Sequence, residues 1–230
     1  MTGTISNDVD NRVPQVHDRP GMRGWIHVAS FFLFLAAAPI LFVRAPNAWS
    51  EVCVSIYVFS ILSLFGVSAL FHRVAWGSVG RRRMRRIDHS TIFLAIAGSY
   101  TAIGGLALVG TTRWVILALV WGGALIGVAV RQLWLDAPKW VIAIPYIVVG
   151  WSAMIVFPQL MHALGGWGIS WLLAGGLAYT LGAIAYSAKR PNPVPGIFGY
   201  HEVFHSGTFI GAGCHYVVIL FFALPLAATH

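Results

Sequence analysis

Long apolar runs separated by short polar segments dominate the pattern of this chain. The runs have about 17 to 25 residues, the length that an α-helix needs to cross the hydrocarbon core of a bilayer. Because lipid offers no hydrogen bonds to the backbone, such runs are expected to be helices rather than separate strands. The pattern therefore predicts an all-α integral membrane protein, a bundle of seven transmembrane helices. The predicted spans are residues 25–43, 52–72, 88–109, 114–130, 140–157, 167–187 and 201–224.

The basic residues between the predicted spans fall almost entirely on one side of the membrane. Of the fifteen lysines and arginines, thirteen lie in the N-terminal tail or in the second, fourth and sixth connections, and only Arg44 and Arg113 lie on the opposite side. Cytoplasmic segments carry such an excess, so the N-terminus is predicted to be cytoplasmic and the C-terminus outside. We expect residues 1–24 to form a loose cytoplasmic tail and residues 25–230 to form one transmembrane domain.

The charge composition supports this interpretation and argues against other classes of protein. Only 10% of the residues are charged, whereas a soluble domain carries about 25%. The net charge of +8 does not indicate a nucleic-acid partner, because six basic residues cluster within residues 73–86, between two apolar runs, where such residues set topology. Cys53 and Cys214 both lie inside apolar runs, so no disulfide framework is expected.

Ionisable side chains are costly inside a bilayer, and several of those in this chain collect at the predicted cytoplasmic ends of three spans. His72 closes the second span, Asp88 opens the third, and His201 and His205 open the seventh. The last two are four residues apart, so both imidazoles lie on one face of a helix. With His72 as the third nitrogen ligand, the set suits tetrahedral Zn²⁺ with one open position.

Two further residues are candidates for catalytic roles at this zinc site. Zinc lowers the pKa of a bound water, and Asp88 could hold that water and take its proton. Ser68 precedes His72 by one helical turn, so its hydroxyl could steady a developing oxyanion or fix a ligand. Structural interpretations stay open: Asp88 could cap the third span or pair with the arginines of residues 81–86, and Ser68 could simply pack.

A second interpretation concerns the sequence His201-Glu202-Val203-Phe204-His205, which matches the zincin pattern H-E-x-x-H. In that pattern the glutamate is the general base, so Glu202 would replace Asp88 in this role. His215 lies ten residues beyond His205, about 15 Å along a helix axis, and is not expected to share the site. His27 and His89 are expected near the membrane interface or in supporting positions.

Three motifs in the second, third and seventh spans make the chain resemble a known family. They are Ser68-x3-His72, then Asp88-His89 leading into Ala97-Gly98-Ser99-Tyr100-Thr101, and finally Phe198-Gly199-Tyr200-His201-Glu202-Val203-Phe204-His205. Over about residues 20–228 the chain resembles the hemolysin III proteins, bacterial members of the progestin and adipoQ receptor superfamily.

The resemblance implies a multi-pass protein of the bacterial inner membrane with an intramembrane zinc near the cytoplasmic face. It implies three histidine ligands at His72, His201 and His205, an aspartate at Asp88 that holds the zinc water, and a nearby serine at Ser68. Members of the superfamily and the similar alkaline ceramidases act on lipid amides such as ceramide. A membrane lipid is therefore the expected substrate or ligand.

Three functions are compatible with these patterns. The first is a zinc hydrolase that cleaves an amide or ester bond of a membrane lipid. The second is a non-enzymatic regulator of membrane fluidity or energetics, in which zinc is structural or signalling. The third is a pore-forming hemolysin, but a pore requires a polar stripe along several spans. The fourth, fifth and sixth predicted spans contain no Asp, Glu, Lys, Arg or His, which disfavours the pore.

Overall fold

Helices form nearly all of the regular structure of the protein. The computed structural model describes residues 20–134 and 138–228, apart from the side chains of residues 139–143. Within these residues there is no β-strand, and Val194 and Phe198 form an isolated bridge. The helices are α1 Trp25–Arg44, α2 Ala48–Arg73, α3 Ser78–Ala107, α4 Gly110–Leu133, α5 Lys139–Gly150, α6 Phe157–Ala188, α7 Tyr200–Val218 and α8 Leu224–Ala227, with a 3₁₀ segment Trp151–Val156 and a π segment Ile219–Ala223.

Six helical stretches of the described chain are long and apolar enough to cross a membrane. They are α1 to α4, the stretch Ile144–Ala188, and the stretch Tyr200–Ala227. The prediction of an all-helical membrane protein with several spans is thereby confirmed. The ends of the helices reach beyond the apolar runs, because capping residues rather than hydrophobicity set them. At α2, for example, the Asn47 side chain accepts a hydrogen bond from the Ser50 backbone at 2.9 Å, and the helix begins at Ala48, four residues before the predicted span.

The third helix begins ten residues earlier than the predicted third span. The basic cluster of residues 81–86 lies in the first turns of α3, and the α2–α3 connection contains only residues 74–77. Arginine is a good helix former, so the charged cluster ends the apolar run without ending the helix. Asp88 consequently lies in the third turn of α3, and the alternative that it caps the helix is wrong.

A single backbone break divides the longest helical stretch. Gly165, inside α6, has φ 67° and ψ 177°, a conformation that is essentially restricted to glycine. This break coincides with the Gly165-Gly166 turn that separates the fifth and sixth predicted spans. Residues 158–164, predicted as part of the connection, are helical instead.

Helix α7 packs closely against its neighbours, which brings its first turns next to the end of α2. Gly207 approaches α6 so closely that a Cβ atom there would lie 2.7 Å from the Ala178 carbonyl oxygen. Small residues permit such backbone contact in a membrane, where lipid supplies no hydrophobic drive for helix association. The Tyr216 hydroxyl donates to the Ala37 carbonyl of α1 at 2.9 Å, and the Tyr57 hydroxyl of α2 donates to the Ala212 carbonyl at 3.4 Å.

Candidate metal centre

The three histidines predicted as metal ligands lie together. His72, at the end of α2, meets His201 and His205 from the first two turns of α7, and the candidate donor atoms of the three residues lie within 4.8 Å of one another. The ring centroids are 4.8 Å apart for His72 and His201, 5.1 Å for His72 and His205, and 4.6 Å for His201 and His205. His72 and His205 are buried and His201 is partly buried.

The spacing of the ring nitrogens fits a zinc ion. Nε2 of His72 and Nε2 of His201 are 3.2 Å apart. Zinc–nitrogen bonds of about 2.0–2.1 Å at tetrahedral angles place two ligands about 3.3 Å apart. His205 adds a buried Nδ1 that has no hydrogen-bond partner in the described part of the chain, and such atoms call for a ligand. The cluster of donor atoms comprises these three histidines and does not include Asp88.

Asp88 and Ser68 lie beside the cluster and share a cavity with it. The cavity has a volume of about 40 Å³, and its walls include Ser68, Asp88, His201 and His205. One water needs about 10–15 Å³ on this measure, so the cavity has room for water next to the histidines. The Ser68 hydroxyl lies beside the Asp88 carboxylate, and both side chains are buried. The structure therefore brings all five predicted site residues to one place.

Glu202 points away from this cavity. One carboxylate oxygen is paired with Arg23, and the other accepts a hydrogen bond from the Gly199 backbone at 2.9 Å, which caps the start of α7. The side chain is fully buried and is not part of the cavity wall. Because both oxygens are occupied in structural contacts, this geometry argues against Glu202 as the general base of a zincin.

The partner of Glu202 comes from the segment that precedes α1. The backbone N–H groups of Gly21 and Met22 donate to the carbonyls of Gly196 and Ile197 at 3.1 and 3.2 Å, so these residues are fixed to the α6–α7 connection. These hydrogen bonds anchor the end of the predicted loose tail beside the histidine cluster. Arg23 thereby supplies the counterion that the buried Glu202 carboxylate requires. The rest of the predicted tail, residues 1–19, lies outside the described residues.

Two further side chains contact the cluster: His27, which was expected near the membrane interface or in a supporting position, and Tyr186, which had no role assigned from the sequence. His27 of α1 stacks on His205, with ring centroids 3.8 Å apart and an angle of 17° between the planes. Its position near the predicted cytoplasmic end of the first span is a signal that could have placed it at the depth of the cluster. Tyr186 of α6 also lines the cavity, 5.4 Å from the ring of His201.

A buried cation next to the site was also missed. Arg131 of α4 is almost fully buried, and its guanidinium is hydrogen bonded to Nδ1 of His89 on α3 and, at 3.3 Å, to the Trp134 carbonyl. In the sequence Arg131 follows an apolar run, and this position indicates only which side of the membrane the connection lies on. No local pattern shows that its side chain folds back into the bundle.

A larger apolar cavity adjoins the small one. It has a volume of about 140 Å³ and is walled mainly by apolar side chains of α3, α5, α6 and α7 and of the 3₁₀ segment. The two cavities share six wall residues, which are Leu64, Ile92, Tyr146, Ala183, Phe204 and Thr208. An apolar chain in the larger cavity would therefore end next to the histidines and Asp88.

Comparison with known proteins gives one family. The profile of the family described as "Haemolysin-III related" matches residues 16–216. "Hemolysin-3" of Bacillus cereus is 29% identical over 205 residues, 88% of this chain and 90% of the relative, and "Hemolysin-3 homolog" of Bacillus subtilis is 30% identical over 203 residues, 87% and 92%. The human "Monocyte to macrophage differentiation factor" is 25% identical over 193 residues, 80% of this chain and 76% of the relative. The residues matched by the family profile include the whole histidine cluster.

Proposed function

This chain belongs to the haemolysin-III-related family, and on that premise we propose that it is a zinc-dependent hydrolase that cleaves an amide or ester bond of a membrane lipid. One observation carries the proposal. Three histidine nitrogens converge, and two of these histidines, His201 and His205, line a cavity that Asp88 also lines. Three nitrogen ligands with an open position and an adjacent carboxylate are the parts of a hydrolytic zinc site.

Each residue of the site has its own role in the proposed reaction. His72, His201 and His205 would hold the ion, and zinc bound there would supply Lewis acidity, which activates water and polarises a carbonyl group. Asp88 accepts the proton of the attacking water and passes it to the departing amine or alcohol, while an acid is released. The Ser68 hydroxyl lies beside Asp88 and keeps that carboxylate oriented.

The apolar cavity favours a lipid as the substrate. Its wall is almost entirely apolar, and it meets the small cavity along six shared residues. A substrate with an acyl chain can bury that chain there and present its carbonyl carbon to the histidine cluster. A small water-soluble substrate would leave the larger cavity unfilled. Its binding would therefore gain no free energy from the burial of apolar surface there.

The topology that accompanies this function has seven spans, with the site at the cytoplasmic face of the bacterial inner membrane. The stretch Ile144–Ala188 has 45 residues, about 68 Å as a straight helix, which is more than twice the roughly 30 Å hydrocarbon thickness. The break at Gly165 permits two crossings instead of one. Residues 1–24 then form a cytoplasmic flank, and residues 25–230 form the transmembrane domain with its C-terminus outside.

Cysteine labelling of intact cells is expected to reproduce this topology. Single cysteines at the exposed positions Val79 and Val194 should react with a membrane-impermeant maleimide only after the membrane is permeabilised. A cysteine at the exposed position Val109 should react in intact cells. The native Cys53 and Cys214 are buried and give a low background. Reaction at position 79 from outside would reverse the proposed orientation.

The protein reconstituted with a bacterial lipid extract is expected to release free acyl acids, because hydrolysis of either an ester or an amide liberates the acyl group. Mass spectrometry of the products should show release by the zinc-loaded protein, loss of release after chelation, and recovery when zinc is returned. His162→Ala, at an exposed histidine outside the site, serves as the matched control and should behave like wild type. Absence of acyl release from a zinc-loaded protein would favour the regulator over the hydrolase.

A further inference from the structure

The contact between His89 and Arg131 lies beside the candidate site and has no part in the chemistry described above. His89 follows Asp88 on α3, and it lines the same cavity. The guanidinium of Arg131 is hydrogen bonded to Nδ1 of His89. The Tyr146 hydroxyl donates to the His89 carbonyl at 3.0 Å and holds the backbone at this position.

This contact fixes the tautomer of His89. A guanidinium has five N–H donors and no acceptor, so Nδ1 must be the accepting nitrogen and Nε2 must carry the hydrogen. The positive charge of Arg131 polarises the ring and strengthens Nε2–H as a donor. Among the described residues Arg131 is the one hydrogen-bond partner of the ring, which leaves Nε2–H for a ligand in the cavity.

Ester and amide hydrolysis needs such a donor. Negative charge develops on the carbonyl oxygen in the transition state, and a fixed N–H group aimed at that oxygen stabilises it. Ser68 was expected to do this from the sequence, but its hydroxyl lies against the Asp88 carboxylate. His89 lines the same cavity and offers a neutral N–H group.

We propose that Nε2–H of His89 donates a hydrogen bond to the carbonyl oxygen of the scissile bond, and that Arg131 is the positioning residue that fixes this tautomer. The inference rests on the proposed hydrolysis. No proton is transferred through His89: its hydrogen bond strengthens as the water oxygen bonds to the carbonyl carbon. The bond relaxes when the carbonyl re-forms and the amine or alcohol departs.

The test compares His89→Phe, which removes the donor, with His89→Gln, whose amide N–H can reach a similar position. His89→Phe is expected to lower kcat for acyl release by roughly 10²–10³-fold, with KM changed less than about threefold and the zinc content unchanged. The kcat of His89→Gln should be at least about tenfold higher than that of His89→Phe, a rescue that a merely structural role would not give. His162→Phe is the matched control at an exposed histidine.

A spectroscopic measurement tests the tautomer without any assay of activity. In the nitrogen NMR spectrum of ring-labelled protein, the signals that disappear in His89→Gln should be an unprotonated Nδ1 and a protonated Nε2. Arg131→Met should abolish this fixed pattern. A protonated Nδ1, or a His89→Phe variant with wild-type kcat, overturns the proposal. A wild-type protein that releases no acyl acid overturns the hydrolase itself, and the two failures are therefore distinguishable.

Discussion

Alanine at His72, His201 or His205 is expected to remove most of the zinc from the purified protein and to weaken zinc binding by about 100-fold or more. Loss of a group that only orients a ligand already costs about 10–100-fold in affinity, and each of these histidines is a ligand in the proposed site. The cluster of donor atoms consists of these three histidines, so the loss of one leaves two protein ligands. Elemental analysis of the purified variants, followed by titration against a competing chelator, measures the effect.

Two controls make this result specific to the cluster. His162→Ala changes an exposed histidine and should retain about one zinc per chain. His27→Phe preserves the ring that stacks on His205 but removes its nitrogens, and it should also retain zinc. Full zinc occupancy in His72→Ala would show that the third ligand is another residue. Loss of zinc in His27→Phe would add His27 to the ligand set.

Asp88→Asn is expected to keep the zinc but lose acyl release by about 10²–10⁴-fold, the usual cost of removing a general base. Asparagine has nearly the same shape and can still accept a hydrogen bond, but it cannot take a proton from water. Asp88 is outside the donor-atom cluster, so metal binding should not depend on its charge. Rates are measured per zinc-loaded molecule with the same lipid extract and the same protein samples.

The matched comparison is Glu202→Gln. Its rate per zinc should stay within about threefold of wild type, because Glu202 caps α7 and pairs with Arg23 and does not line the cavity. Its thermal stability should fall, since the change leaves the guanidinium of Arg23 without its carboxylate. The zincin interpretation predicts the opposite order of effects. An inactive Glu202→Gln that retains zinc, together with an active Asp88→Asn, would identify Glu202 as the base.

The sequence was sufficient for the parts of the structure that depend on hydrophobicity and on helical spacing. Apolar runs located the helices, and the turn at Gly165-Gly166 marked the position where the backbone breaks. The four-residue spacing of His201 and His205, combined with the direction of each span, placed His72 at their depth. The comparisons confirm the family that the motifs around these residues resemble.

The features that were missed depend on side-chain direction and on contacts between distant residues. An apolar run is interrupted by charged residues, whereas a helix continues as long as the backbone keeps its helical hydrogen bonds. The arginines before Asp88 therefore obscured the start of α3. The pairs Arg23–Glu202 and His89–Arg131 join residues 179 and 42 positions apart. Neither pair follows from periodicity, because a buried cation next to an apolar run looks the same as an exposed one in the sequence.

The large separation of the three histidines along the chain constrains when the cluster can form during biosynthesis. His201 is made 129 residues after His72, which at about 5–20 residues per second is a delay of about 6 to 26 seconds. During that interval the nascent chain holds a single histidine of the cluster and cannot bind zinc with all three. Glu202 is made 179 residues after Arg23, so the delay before these two residues can pair is longer still. Zinc binding by all three histidines of the proposed site therefore follows the synthesis of α7, and a chain truncated before α7 retains His72 as the single ligand of the set.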